Sequence, residues 1–171
     1  MNSKKPSESR TVQTEIVLPN DTNNLNNLMG GRLLHWMDIA AAVWAQRHCG
    51  RTCVTAAVNN VSFGHPIPRA SIVTLEANIS RSFSSSMEVI IDVWTEDTQS
   101  GANTKCNEAI YTFVAVDNMG NPVKVPEVTP ESKIEKSRFD AALRRRQLSL
   151  ILGGKMKAED ATELKALFNK D

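Results

Sequence analysis

LLHWMDIAAAVWA, residues 33–45, is apolar at every position except His35 and Asp38 and contains no helix breaker. A helix that is apolar almost all round is expected to lie inside a protein, and taking a lone ionised carboxylate out of water is costly unless it is solvated or paired. Asp38 is therefore either neutralised by a partner or kept for chemistry. At helical spacing Gly31, Leu34, His35, Asp38, Ala41, Ala42 and Ala45 share one side, so the small side chains that follow the carboxylate let another group approach closely. A strand backbone or a second copy of the helix in that space, with a buried donor on Asp38, explains the pattern as well as catalysis does.

Upstream of the helix, residues 1–11 are polar, charged and aperiodic, and read as a disordered lead-in. Val12 to Leu18 alternates loosely as a strand and stops at Pro19-Asn20-Asp21. An asparagine-rich loop then closes in Gly30-Gly31 and delivers the chain to a helix expected from about Gly31 to His48.

Downstream come four strand-like runs, Thr52 to Phe63, Ser71 to Arg81, Ser86 to Glu96 and Ala109 to Val116, the second and third alternating apolar and polar residues. Ala109 to Val116 is apolar or β-branched throughout, as a central strand covered on both faces would be. Short connections predict an antiparallel sheet wrapped around the one long helix, an α+β fold over residues 12–126. No helix is expected over the sheet's other face, so a second subunit would close an edge or face. Residues 127–171 read as a C-terminal helical extension: Thr129-Pro130-Glu131 gives a helix start, Gly153-Gly154 a stop, and 158–168 a second short helical pattern.

The chain has 171 residues, enough for one domain with tails, and a formal net charge of +1, which gives no overall bias toward nucleic acid or an anionic membrane. Residues 33–45 are too few to span a bilayer, and MNSKKPSESR has no apolar core after its lysines, so a cytoplasmic protein without membrane contact is expected. Three cysteines, Cys49, Cys53 and Cys106, read as reduced thiols. Cys49 and Cys53 lie close to His48, but no second spaced Cys or His pair follows, so no metal site is expected.

Two glycines at a helix start leave its first N–H groups aimed outward, where they can hydrogen-bond an oxygen gaining negative charge; equally, glycine serves any sharp bend. Asn27 just before them adds an amide, and Asp38 a carboxylate about two turns further on. Together these suffice for hydrolysis of an activated acyl group.

The stretches LPNDTNNLNNLMGGRLLHWMDIAAAVWAQRHC at 18–49, VTAAVNNVSFGHPI at 54–67, SFSSSMEVIIDVWTED at 82–97 and NEAIYTFVAVDNMGNPVKVP at 107–126 resemble the hotdog-fold acyl-CoA thioesterases. The similarity is to the branch of the bacterial YciA-type enzymes and the mammalian cytosolic brain acyl-CoA hydrolase, and covers roughly residues 12 to 126. It implies a hotdog fold and catalytic roles for Asp38, as general base or as nucleophile, for Asn27, and for the Gly31 N–H. Met29 stands where the family usually has histidine or another residue, which leaves the backbone donors as the part that carries over.

The resemblance also implies at least a homodimer with composite sites, many relatives being trimers of dimers, and coenzyme A as part of the substrate with no separate cofactor. Gly30, Asn60, Ser62, Phe63, Ser84, Ser85, Ser86 and Met87 are then candidates for the coenzyme A groove. Arg81, Arg47 and Arg144-Arg145-Arg146 are candidates for its phosphates, the triple arginine reading equally as a solvated helix face. His35, one turn before Asp38, can pair with it or sit satisfied in the core, and His48 and His65 are assigned no role. A hotdog dehydratase, or a module that binds acyl-CoA or a nucleotide without catalysis, remains open on the same fold.

Overall fold

The computed structural model describes residues 3–168, so residues 1–2 of the lead-in and 169–171 of the extension lie outside the described part. Helix α1 spans Gly30–Cys49 and ends where Gly50 takes the left-handed conformation (φ 65°) and donates its N–H to Gln46 O. It buries Leu33, Trp36, Met37, Ala40, Ala41, Trp44, Ala45, His48 and Cys49. Strands β1 (Thr11–Ile16), β2 (Thr52–Phe63), β3 (Ile72–Ser82), β4 (Ser86–Glu96) and β5 (Asn103–Val116) form one antiparallel sheet in the order β1-β3-β4-β5-β2. Val73, Leu75, Ala77 and Ile79 of β3, Met87, Val89, Ile91 and Val93 of β4, and Ala109, Tyr111, Phe113 and Ala115 of β5 pack in one core with α1. This is the expected hotdog arrangement, a sheet wrapped around a central helix.

α1 is not buried all round. His35, Ile39 and Val43, spaced one turn apart, are exposed, and Asp38 is half-buried at the border of that strip. Beside it β2 is an edge strand, exposed along most of its length, with Val54 and Val58 open and two irregularities in its pairing with β5.

The sheet's outer face is covered, contrary to the expectation of an open one. Helix α2 (Lys133–Leu152) lies across it and hides the outward side of β4, which is why Ser86 to Val93 is buried at every position. The attachment is ionic: Arg145 holds the buried Glu88 through two hydrogen bonds of 3.0 and 2.6 Å, and Arg138 donates to Asp92 at 2.7 Å. Burial pushes the Asp92 carboxyl up, but the hydrogen bonds and charges of Lys105 and Arg138 outweigh it and hold it below the ordinary carboxylate range. α2 starts three residues later than Thr129-Pro130-Glu131 suggests, because Ser132 and Glu135 form a reciprocal capping box. Beyond Gly153-Gly154, among the described residues, only a turn at Ala158–Asp160 and the four-residue helix α3 (Thr162–Lys165) follow.

The expectation of a disordered lead-in does not hold for residues 3–10. Lys4 bridges Val128 and donates its side chain to His48 O at 2.7 Å, and Ser9 is buried as the acceptor for the Trp44 indole N–H at 2.9 Å. Composition misses this because the segment contributes hydrogen-bond partners rather than apolar surface. Ser9→Ala leaves a buried indole donor unpaired and is expected to lower stability by about 1–3 kcal/mol, read as a lowered midpoint in thermal or urea unfolding.

Candidate active site

Asp38 faces β2, and its Oδ1 accepts a 2.7 Å hydrogen bond from the Thr55 hydroxyl. Among the described residues no other hydrogen bond reaches the carboxylate, so Oδ2 is left for another partner and His35 does not pair with it. Thr55 was not singled out from the sequence; the available signal is a lone hydroxyl in the otherwise apolar run Val54-Thr55-Ala56-Ala57-Val58, on the strand that follows the helix. Beneath, the Tyr111 hydroxyl donates to Leu34 O at 3.0 Å, one turn before Asp38. Burial, reinforced by the Asp38 charge, pushes Tyr111 up to about 12, so it stays a protonated donor pinning that turn of α1.

The loop before α1 is held by its own side chains. Asp21 is buried, accepts the Leu18 N–H at 3.0 Å and pairs with Arg32 at 2.8 Å, tying the loop to the first turn of the helix. Asn23 Oδ1 accepts from Leu25 N at 2.9 Å and Asn27 N at 3.2 Å, while Asn23 N donates to Asn27 O at 2.8 Å. The Asn23 side-chain carbonyl is thus consumed by the turn and Asn27 closes it through its main chain, so the Asn23 NH2 and the whole Asn27 side-chain amide are without a hydrogen-bond partner among the described residues. The first N–H bonded within α1 is that of Leu33, to Met29 O, so Gly30, Gly31 and Arg32 present main-chain donors without a main-chain partner among the described residues. A side chain at Gly31 would meet nothing within 4 Å, whereas one at Gly30 would press to 3.3 Å from the Phe63 ring.

The remaining candidates fall into separate places. Asn23, Asn27, Phe63, His65 and Asn107 line a cavity of about 270 Å³ beside the loop, and the Ser62 carbonyl there is the acceptor for the Asn107 amide. Asn60, at φ 49° in an irregularity of β2, opens instead onto a cavity of about 290 Å³ between the sheet and α2. Arg81 and Ser84 border a third, of about 580 Å³, together with Lys124. Arg81 stacks 4.0 Å from the Phe139 ring centroid and donates to Phe139 O.

Two groove candidates do not face a groove. Met87 is fully buried in the core, because β4 turns that position toward α1, and Ser86 is buried under α2 as the acceptor for Arg146. Ser85 contributes its carbonyl to Ala115 N in the turn. Two of the three consecutive arginines are engaged within the fold: Arg145 binds Glu88, and Arg146 lies 4.3 Å from the Phe83 ring centroid.

Among the described residues no helix is long and apolar enough to cross a membrane, and no cluster of three or more His, Cys, Asp or Glu is placed to hold a metal.

The sequence model of the Thioesterase superfamily matches residues 25–102. The chain is 41% identical over 138 residues to the uncharacterized acyl-CoA thioester hydrolase YkhA of Bacillus subtilis, covering 81% of this chain and 80% of that one. Its fold superimposes with a TM-score of 0.84 on an acyl-CoA hydrolase of Staphylococcus aureus solved with butyryl coenzyme A and coenzyme A, at 34% identity over 90% of this chain and 95% of that one. Alanine variants of that hydrolase have been solved at an aspartate, at an asparagine fifteen residues before it and at a threonine seventeen residues after it. An apo hexameric acyl-CoA thioesterase is similarly close, with a TM-score of 0.83 at 35% identity, covering 85% of this chain and 94% of that one. With the helix-wrapping sheet and the Asp38 site in place, these similarities make the chain a member of the hotdog-fold Thioesterase superfamily.

Proposed function

We propose that this chain hydrolyses acyl-CoA thioesters to a free carboxylic acid and coenzyme A, with Asp38 as general base. The observation that carries the reading is the Asp38–Thr55 bond: it fixes the carboxylate and occupies Oδ1, leaving Oδ2 to take a proton from water as that water attacks the thioester carbonyl. The tetrahedral oxyanion then needs donors, and the candidates are the Gly31 N–H at the positive end of α1 and an asparagine amide. The proton passes to the leaving sulfur, and the overall change is thioester plus water to acid plus thiol. Coenzyme A enters as part of the substrate and the step calls for no separate cofactor.

Gly31 and Asp38 are seven residues apart, about 10 Å along the helix axis, too far for one carbonyl to reach both in one chain. The donor loop of one protomer and the Asp38 of another therefore make a site together. The apolar strip of Ile39 and Val43 beside Val54 and Val58, along an unpaired strand edge, is the surface a homodimer would cover. A trimer of such dimers is the assembly the hexameric thioesterase suggests. Gly30, Ser62 and Phe63 beside the loop would contact the pantetheine arm, and Arg81 with Lys124 and Ser84 the phosphates. The proposed setting is the cytoplasm.

For the asparagine, the spacing favours Asn23 over Asn27: Asn23 stands fifteen residues before Asp38, as Thr55 stands seventeen after it, the spacings of the three positions varied in the Staphylococcus aureus hydrolase, and its side-chain NH2 is not used by the turn. The test is thiol release from a panel of acyl-CoAs of rising chain length, followed with a colorimetric thiol reagent. The wild type is expected to turn over at least one of them, Asn23→Ala to lose about 10²-fold in kcat, and Asn27→Ala to stay within a few-fold of wild type. Wild-type protein that releases thiol from none of the panel would sink the enzymatic reading.

A further inference from the structure

The last residue of α1 and the second residue of β2 bring two thiols together. Cys49 Sγ and Cys53 Sγ are 3.2 Å apart, across the tight turn that Gly50 makes possible with its φ of 65°. Both sulfurs also approach the Arg51 carbonyl, at 3.5 and 3.6 Å, and both residues are 9% exposed, whereas Cys106 is remote from them and sits beside Thr95. The separation exceeds a disulfide bond of about 2.05 Å by little more than 1 Å, and the turn between them is glycine-hinged.

We propose that Cys49 and Cys53 are a reversible oxidation site, which hydrogen peroxide converts to an internal disulfide joining the end of α1 to the start of β2. The Cys49 thiolate attacks one peroxide oxygen and hydroxide leaves, giving a sulfenic acid. Cys53 sulfur then attacks Cys49 sulfur, its proton leaves with the departing oxygen as water, and the balance is two thiols plus peroxide to one disulfide plus two waters. Cys49 is the attacking sulfur because the hydrogen bond with Cys53 draws it down to about 7 while that same bond and burial push Cys53 up. The staple acts next to the candidate site, since Cys53 and Thr55 lie on one side of β2 and Cys49 belongs to the helix that carries Asp38.

The site is testable by digestion, because Arg51 lies between the two cysteines. Native protein treated with peroxide, alkylated and cut with trypsin is expected to yield peptide 48–51 disulfide-linked to peptide 52–69, with two free thiols lost per chain and both recovered with dithiothreitol. Cys106→Ser should retain the linked peptides; Cys49→Ser and Cys53→Ser should each abolish them. Linkage that forms only in denaturant, thiol loss confined to Cys106, or oxidation of Cys49 to the sulfinic acid without linkage would each overturn the proposal.

Discussion

Asp38→Ala is expected to lower kcat for acyl-CoA hydrolysis by about 10²–10⁴-fold, the range for loss of a positioned general base, equivalent to about 3–5 kcal/mol at the barrier. KM should change far less, because the carboxylate meets the attacking water and not the coenzyme A portion. Asp38→Asn separates chemistry from packing: an amide oxygen in the same place still accepts the Thr55 hydrogen bond, but has no useful basicity. It should therefore lose nearly as much activity as the alanine variant while its thermal midpoint stays near that of wild type. Thr55→Val keeps the carboxylate and removes the bond that orients it, so its loss should be smaller and confined to kcat. Thiol release at saturating acyl-CoA, alongside circular dichroism of each variant, reads all three; full activity in Asp38→Asn would remove the base from the mechanism.

The parts of the fold that follow from local pattern were legible, and those that depend on a distant partner were not. α1 and β4 lie where their spacing places them, since a helix stripe and a two-residue alternation are properties of the segment itself. β5 begins six residues earlier than its apolar core, because Asn103 to Glu108, polar except for Cys106, still find ladder partners on β4 that composition does not show.

Tertiary pairing accounts for the larger departures. In sequence Glu88 and Asp92 are only the polar half of an alternating strand, and Arg145 belongs to a triple arginine that reads as phosphate ligands or a solvated face; the meeting of the two carboxylates with Arg145 and Arg138 across about fifty residues is what buries them. The site divides in the same way. Asp38 stands out because a carboxylate contradicts its apolar surroundings, whereas its partner Thr55 contradicts nothing in a β-strand, where threonine is at home. In the loop the difficulty is redundancy. Four asparagines within five residues make the carry-over to Asn27 and to Asn23 look alike; the hydrogen bonds show the Asn23 side-chain oxygen and the Asn27 main chain closing the turn together, and it is the spacing to Asp38 that separates the two.

Arg145→Met is expected to destabilise the fold by about 3–5 kcal/mol, the cost of leaving a buried charge without its partner. Glu88 is 5% exposed and keeps one other contact, the hydrogen bond from the Ser80 hydroxyl, which satisfies an oxygen without balancing the charge. The carboxylate must then take up a proton, admit water or let α2 lift from the sheet, and each route weakens the attachment that Arg138 with Asp92, Arg146 with Ser86 and Arg81 with Phe139 would be left to hold. Glu88→Gln in the same background removes the charge while keeping an acceptor for Ser80, so the double variant should recover most of the loss. A cycle of urea unfolding over wild type, Arg145→Met, Glu88→Gln and the double variant measures this directly, and a coupling energy near zero would mean the ion pair does not dock the helix. The consequence reaches beyond stability: α2 forms one wall of the cavity onto which Asn60 opens, so a variant with α2 detached should lose that cavity while Asp38 and Thr55, on the far side of the sheet, keep their bond. Hydrolysis by Arg145→Met, measured well below its unfolding midpoint, then separates the two places: an unchanged kcat with a raised KM assigns the α2 side to substrate binding, and unchanged values for both assign it to the fold alone.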